Sequence, residues 1–206
     1  MIAVACGRVL FNMDVLNTKM FWDPARVCCF TGHRSKYLPF DGDRSKQGMK
    51  CLVSSLQLYI QEAIEDGYEV FLSGMADGID LICAEIVHDF IMHENHNVRL
   101  IGVLPYADHI KKEMKNFSNR YICTLIINDC ADIICLKQDK DRNCYKERNQ
   151  FMVDHSSRII GAFDKTLRGT GTRQTINMAK KAGLEQRIIS IDENPVFKIS
   201  GDDYFS

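Results

Sequence analysis

Three short stretches of this chain carry residue types and spacings able to do chemistry. The run Arg148-Asn149-Gln150-Phe151-Met152-Val153-Asp154-His155-Ser156 reads as a helix, and an apolar strand and the turn Gly169-Thr170-Gly171-Thr172-Arg173 follow it. Glycines in that turn let the backbone approach a ligand closely, and Thr172 suits the cap of the next helix. A helix start of this kind offers unpaired N–H groups and a positive dipole end, a match for phosphate or carboxylate. Gly32-His33-Arg34 and Ser73-Gly74-Met75-Ala76-Asp77-Gly78 each follow an apolar run, and Asp80 falls in the first turn after the second of them. Arg34, Arg148 and Arg173 can add charge-assisted hydrogen bonds to an anion. Asp77, Asp80 and Asp154 are the carboxylates near such a site, and His33 brings a side chain that titrates close to neutrality. Each has a bland counterpart: Asp80 satisfies its own helix dipole and would repel a phosphate, so a sugar hydroxyl or a plain cap suits it better. Arg173 at a helix start is locally unfavourable, which points to an anionic partner or to a nearby acid such as Asp164.

These stretches need elements to position them. Val27-Cys28-Cys29-Phe30-Thr31 is the first clear strand, and polar Gly32-His33-Arg34 lies at its carboxyl end, where open α/β sheets bind ligands. A helix from about Ser45 to Asp66 shows an apolar face of Leu52, Leu56, Tyr59, Ile60 and Ala63, and Gly67 ends it. Tyr68 to Leu72, Val98 to Leu104, Ala131 to Leu136, Arg158 to Phe163 and Arg187 to Ile191 supply five more strands, alternating with helices. That alternation implies a mostly parallel sheet with right-handed crossovers. Two strand, glycine loop, helix units in one sheet bring two helix starts to one edge, as nucleotide clefts require. Residues 1 to 22 show neither strand alternation nor a helix face and read as an extension, and the tail from Asp192 reads as polar and peripheral.

Composition excludes several classes. The chain has 206 residues, 46% of them hydrophobic, and a formal net charge of -1, which fits one α/β domain over 23–206. So balanced a charge supplies no field to hold nucleic acid or an anionic membrane, and any anion site must be local. Nine cysteines at 6, 28, 29, 51, 83, 123, 130, 135 and 144 include no C-x-x-C pair and read as reduced core residues of a cytosolic protein. No apolar run approaches the ~20 residues of a membrane span, and no signal peptide opens the chain. His88, His93 and His96 do not combine with Glu85 or Asp89 at a familiar closed-site spacing, so no metal is expected. A P-loop is absent, and Gly169-x-Gly171 lacks a third glycine at position 174, which disfavours P-loop NTPases and ordinary NAD dehydrogenases.

Taken in order, Thr31-Gly32-His33-Arg34, Ser73 through Asp80, Arg148 through Ser156 and Gly171 through Lys181 resemble the YpsA-like family of the SLOG superfamily, over about Val27 to Ile191. The resemblance implies a Rossmann-like three-layer sandwich: an α/β fold whose mostly parallel sheet has about six strands, with helices on both faces. It also implies a pocket for a nucleotide-derived ligand, such as an ADP-ribose or NAD derivative, in a family linked to bacterial cell division and stress responses. The expected ligand-binding set is Gly32, His33, Arg34, Ser73, Gly74, Met75, Gly78, Asp80, Arg148, Asn149, Asp154, Gly169, Gly171, Thr172 and Arg173. The related LOG hydrolases carry G-G-x-G-T-x-E-E at the glycine turn, whereas Gln174 and Thr175 stand here in the two acidic places. A sensor or regulator is therefore the leading expectation. An N-glycosidase or phosphoribohydrolase drawing on Asp80, Asp154 or His33 is the alternative. DprA-like binding of single-stranded DNA ranks third, because the chain has one tryptophan, outside the matching region, and no basic stripe. A homo-oligomer is compatible with each reading.

Overall fold

Along the central strands of the sheet, alternate residues send apolar side chains to opposite faces, as a two-sided parallel strand must. Cys28, Phe30, Phe71 and Leu100 enter one core, and Val27, Cys29, Leu72 and Ile101 the other. The computed structural model describes residues 9–11, 22–93, 97–129, 131–167 and 171–200. Its strands are β1 (Val9–Phe11), β2 (Val27–Gly32), β3 (Val70–Ser73), β4 (Arg99–Leu104), β5 (Ala131–Cys135), β6 (Arg158–Phe163) and β7 (Glu185–Ser190). All pair in parallel, in the order β1-β5-β4-β3-β2-β6-β7. The helices are α1 (Gln47–Glu65), α2 (Ile79–His93), α3 (His109–Glu113), α4 (Phe117–Asp129), α5 (Cys144–Asp154) and α6 (Gly171–Ala182). Helices α1, α2 and α4 close the first core, and α5 and α6 the second, giving the expected three-layer Rossmann-like sandwich.

Packing explains why these elements form. On α1, Leu52, Leu56, Ile60 and Ala63 are completely buried on one face, and each buried large aliphatic is worth about 1.5–3 kcal/mol. The helix ends at Asp66, and Gly67 follows at φ +88°, the left-handed stop that glycine adopts without strain. Of the described cysteines, Cys28, Cys29, Cys83, Cys123, Cys135 and Cys144 are buried and Cys51 is half-buried. Burial pushes the Cys29 and Cys123 thiols up to about 12, so they pack as small hydrophobes rather than acting as thiolates. Among the described residues no helix is long and apolar enough to cross a membrane.

Several expectations need correction. The first strand is Val9–Phe11, not Val27–Thr31: it adds to the sheet edge beside β5, with Val9 opposite Ile133. Three residues are too few for an alternation to be legible, and their pairing energy comes from a strand more than a hundred positions away. The segment after β4 is two helices, α3 and α4, because the chain leaves helical geometry at Met114. Nor is the tail after Asp192 peripheral throughout. A short helical turn at Pro195–Lys198, capped by Asn194, carries Phe197 into the core, where it is 2% exposed. Gly48 makes this docking feasible, since a Cβ there would lie 2.2 Å from the Phe197 carbonyl oxygen.

From β2 the chain steps outward through β3, β4 and β5, then returns to lay β6 and β7 on the other side of β2. The winding therefore reverses between β2 and β6. In such sheets the crevice at the carboxyl ends of the strands beside that reversal is where a ligand finds room.

Candidate functional site

At the carboxyl ends of β2 and β6 a cavity of about 470 Å³ opens between the 33–37 loop, the start of α5 and the start of α6, a size within the range of about 300–1,000 Å³ usual for ligand sites. Of the expected residues, Gly32, His33, Arg34, Asp80, Arg148, Asn149, Gly171 and Thr172 line it. Gly169 lies outside the described residues.

The floor is ionic. Arg148, on the second turn of α5, reaches across to the first turn of α2, where its Nη1 donates to Asp80 Oδ2 at 3.1 Å. Arg148 is 5% exposed and Asp80 8%. Burial pushes the Asp80 carboxyl up, against the pull of Arg148 and Arg34, and pushes the Arg148 guanidinium down, against the pull of Asp80. A guanidinium keeps its proton in proteins, and its charge favours the carboxylate form of Asp80 against the effect of burial. The pair is also incomplete: the contact is single rather than bidentate, and Arg148 Nε is buried with no hydrogen-bond partner among the described residues. Arg34 is half-buried in the cavity wall, and its guanidinium has no hydrogen bond or ion pair among the described residues. Two cations thus face one buried acid, leaving an excess of positive charge where the α6 start adds its dipole.

This pair also corrects the reading of the second glycine loop. A Cβ on Gly74 would sit 1.1 Å from Arg148 Nη1 and 2.4 Å from Asp80 Oδ2. Gly74 is therefore glycine to leave room for the ion pair, not to bring N–H groups to a phosphate. Gly78, at φ +99°, lets the loop pass under residues 33–34, where a Cβ would meet the His33 oxygen at 2.2 Å. The first N–H of α2 is already taken, Ile79 N donating to that same oxygen at 3.1 Å. Ser73 Oγ ties the loop internally, donating to Asp80 O and accepting from Met75 N, and Met75 is wholly buried at φ 47°. Ser73, Gly74, Met75 and Gly78 support the floor and do not line the cavity.

His33 is 2% exposed, between the Phe163 ring at 5.4 Å and the Tyr37 ring at 6.2 Å. Its Nε2 accepts the Asp164 N–H at 3.0 Å, which places the ring proton on Nδ1. Burial lowers its pKa, and the Asp164 donor needs the lone pair, so the ring is neutral at pH 7. His33 pins β6 to the 33–37 loop and its Nε2 is not free to carry a proton.

Asp154 is placed elsewhere. It ends α5, which runs back toward the amino edge of the sheet, about 14 Å along the axis from Tyr145 at 1.5 Å per residue. There it is exposed and accepts from Gln150 Nε2 at 2.7 Å. Asp77 Oδ1 accepts from Ser35 Oγ and from Asn119 Nδ2, both at 2.7 Å, outside this cavity. Thr172 is not a cap: it is the second residue of α6, and its hydroxyl donates to the Gly32 carbonyl at 2.8 Å, tying α6 to the end of β2. Arg173 does not line the cavity. Its Nη2 donates to the Lys165 and Leu167 carbonyls at 2.6 and 3.3 Å, and its guanidinium lies 5.3 Å from the Phe163 ring centre. It holds the 164–167 turn through backbone oxygens rather than through Asp164. His88 contacts Asp129 Oδ2 at 3.1 Å, and His96 lies outside the described residues.

Phe30, Tyr37, Tyr145 and Leu167 line the cavity as well, and reading the chain alone missed them. Tyr145 had a signal, since it stands three residues before Arg148 on one helix and so shares its face. Phe30 and Leu167 had none, being apolar residues that only the fold turns toward a cavity. They add flat and apolar walls to an ionic floor, the two surfaces a base or sugar and a phosphate require.

Fold and site together define a Rossmann-like α/β protein with a cationic cavity at the point where its sheet reverses. The YpsA family model, described as the YspA SLOG family, matches residues 28–194, and the chain belongs to that family. It is similar to a UPF0398 protein of Bacillus thuringiensis (strain Al Hakam), 26% identical over 162 residues covering 77% of this chain and 84% of the relative. A UPF0398 protein of Bacillus cereus (strain Q1) matches with the same identity and coverage.

Proposed function

We propose that this protein binds a nucleotide-derived ligand of the ADP-ribose or NAD type and acts as a sensor or regulator. The observation that carries the reading is Arg148, a buried guanidinium at the cavity floor with one ion-pair contact and an unpartnered Nε. A buried charge so poorly compensated is costly, and an anionic group in the cavity offsets that cost. Arg34 and the α6 start at Gly171 and Thr172 face the same space, and a Cβ on Gly171 would meet nothing within 4 Å. The arrangement favours binding over hydrolysis. Asp80 is engaged with Arg148, His33 Nε2 with the Asp164 N–H, and Asp154 stands at the other edge of the sheet. Among the described residues no free acid and base converge on one reacting centre, as N-glycoside cleavage would require. Single-stranded DNA fits poorly, because the cations lie in a cavity rather than along a groove.

Thermal-shift measurement with nucleotides, NAD and ADP-ribose tests the proposal. A member present at 100 times its dissociation constant stabilises by about 2.7 kcal/mol, and Arg148→Met or Arg34→Ala removes that shift. Absence of any shift at millimolar concentration refutes nucleotide binding.

A further inference from the structure

A second cavity of about 500 Å³ adjoins the first, sharing Arg34 and Tyr145 as a common wall. Its other lining residues include Lys36, Lys115, Lys140, Asp77 and Glu113. Arg34 thus stands between two spaces rather than at the end of one. Of the second space's cations, only Lys140 has an acid of its own, Glu113 Oε1 at 2.6 Å. That carboxylate also accepts from Tyr106 Oη at 2.8 Å, and the Lys140 contact holds Glu113 down to about 2, so it stays ionised. Lys36 lies 4.6 Å from the Tyr37 ring centre, and neither it nor Lys115 has a carboxylate partner among the described residues. Asp77 already accepts two hydrogen bonds, from Ser35 and Asn119. Counting Arg34, the second cavity carries four cations against two engaged acids. It is lined for negative charge, and its aromatic wall among the described residues is Tyr145, where the first cavity has Phe30 and Tyr37 as well.

We infer that the ligand spans both cavities: a nucleoside carrying at least two linked phosphates, with its base, sugar and first phosphate over Arg148 and the next phosphate beyond Arg34, facing Lys36 and Lys115. The inference rests on the nucleotide reading and assigns its two phosphates to separate cavities. A guanidinium between two anionic spaces suits a diphosphate, because its fork can donate to oxygens on either side. A monophosphate fills only the first space and leaves Lys36 and Lys115 unmatched.

The test is calorimetric titration of the full chain with the mono-, di- and triphosphates of adenosine and of guanosine. In one of these series the diphosphate binds at least about tenfold more tightly than the monophosphate, the ratio that 1.4 kcal/mol supplies. The double variant Lys36→Ala/Lys115→Ala brings the diphosphate to the affinity of the monophosphate and leaves the monophosphate unchanged. Both lysines are exposed, so the variant folds, which an unchanged melting temperature verifies. Equal binding of mono- and diphosphate overturns the two-cavity inference while the nucleotide reading stands, and so does a double variant that weakens every ligand alike. No binding of any of the six also overturns the two-cavity inference, and the thermal-shift measurement with NAD and ADP-ribose then decides the nucleotide reading separately.

Discussion

At the scale of single residues, the Asp80–Arg148 pair decides both stability and site. Removing one partner of a buried pair strands the other charge, at a cost of about 3–5 kcal/mol, whereas replacing both by apolar groups is often neutral or stabilising. Arg148→Met should therefore lower the unfolding free energy in urea by about 3–5 kcal/mol. Asp80→Leu/Arg148→Met should recover most of that loss without recovering ligand binding. A double variant as unstable as the single one would mean that Arg148 stabilises by packing and not by answering Asp80. The contact with Met152 Sδ at 3.9 Å and the void that Gly74 leaves for Nη1 are the packing such a result would point to.

At the scale of elements, the turn 164–167 that follows β6 is a strap built from local bonds. Asp164 Oδ1 accepts from Thr166 N and Oγ1, His33 Nε2 accepts from Asp164 N, and Arg173 donates back from α6 to the Lys165 and Leu167 carbonyls. Leu167, at the end of this strap, is a wall of the cavity. Arg173→Ala should lower the melting temperature of the ligand-free protein by about 2–4 °C, the shift that ~1 kcal/mol produces at this chain length. Nucleotide affinity should weaken less than in Arg34→Ala, because Arg173 shapes the wall and does not itself line the cavity. An unchanged melting temperature with strongly reduced affinity would instead assign Arg173 to a phosphate.

At the scale of the whole molecule, acid should unfold the protein through histidines buried in neutral form. His109 is 1% exposed, and burial, then Arg148 and Arg34, lower its pKa from 6.5 to about 3. The unfolded chain therefore takes up a proton below pH 6.5 that the folded chain refuses until about pH 3. The His109 contribution is present above 6.5 and is lost as pH falls through that window, at up to about 1.4 kcal/mol per pH unit. His33, also lowered by burial, acts in the same direction. Glu113, lowered from 4.5 to about 2, adds its loss only below 4.5. His109→Phe should reduce the slope of the stability curve between pH 6.5 and about 3, most visibly above 4.5, where Glu113 does not yet contribute. It also removes Nδ1, a buried nitrogen without a partner. An unaltered slope in urea titrations across that interval would show that His109 is hydrated in the folded state.

The amino-acid sequence by itself determined what is local or periodic. Strands β2 through β7 were legible as apolar runs, α1 as a spaced apolar face and the parallel sheet as an alternation, because each of these is written within ten to twenty consecutive residues. The four motifs that carry the family resemblance were legible for the same reason, and so were Gly32, His33, Arg34, Arg148 and Gly171 as residues at the carboxyl edge of the sheet. Tertiary structure alone decided the roles. Asp80 and Arg148 are 68 positions apart, and nothing near either announces the other. Without that pair Gly74 looks like a phosphate loop rather than a space for a guanidinium. Arg173 looked like an anion ligand because its local helix dipole disfavours a cation, until the turn carbonyls it holds were in view. Strand β1 and Phe197 were invisible for a related reason. A three-residue strand and a single aromatic in a polar tail draw their stability from partners distant in the chain, and short-range pattern carries no record of a long-range partner.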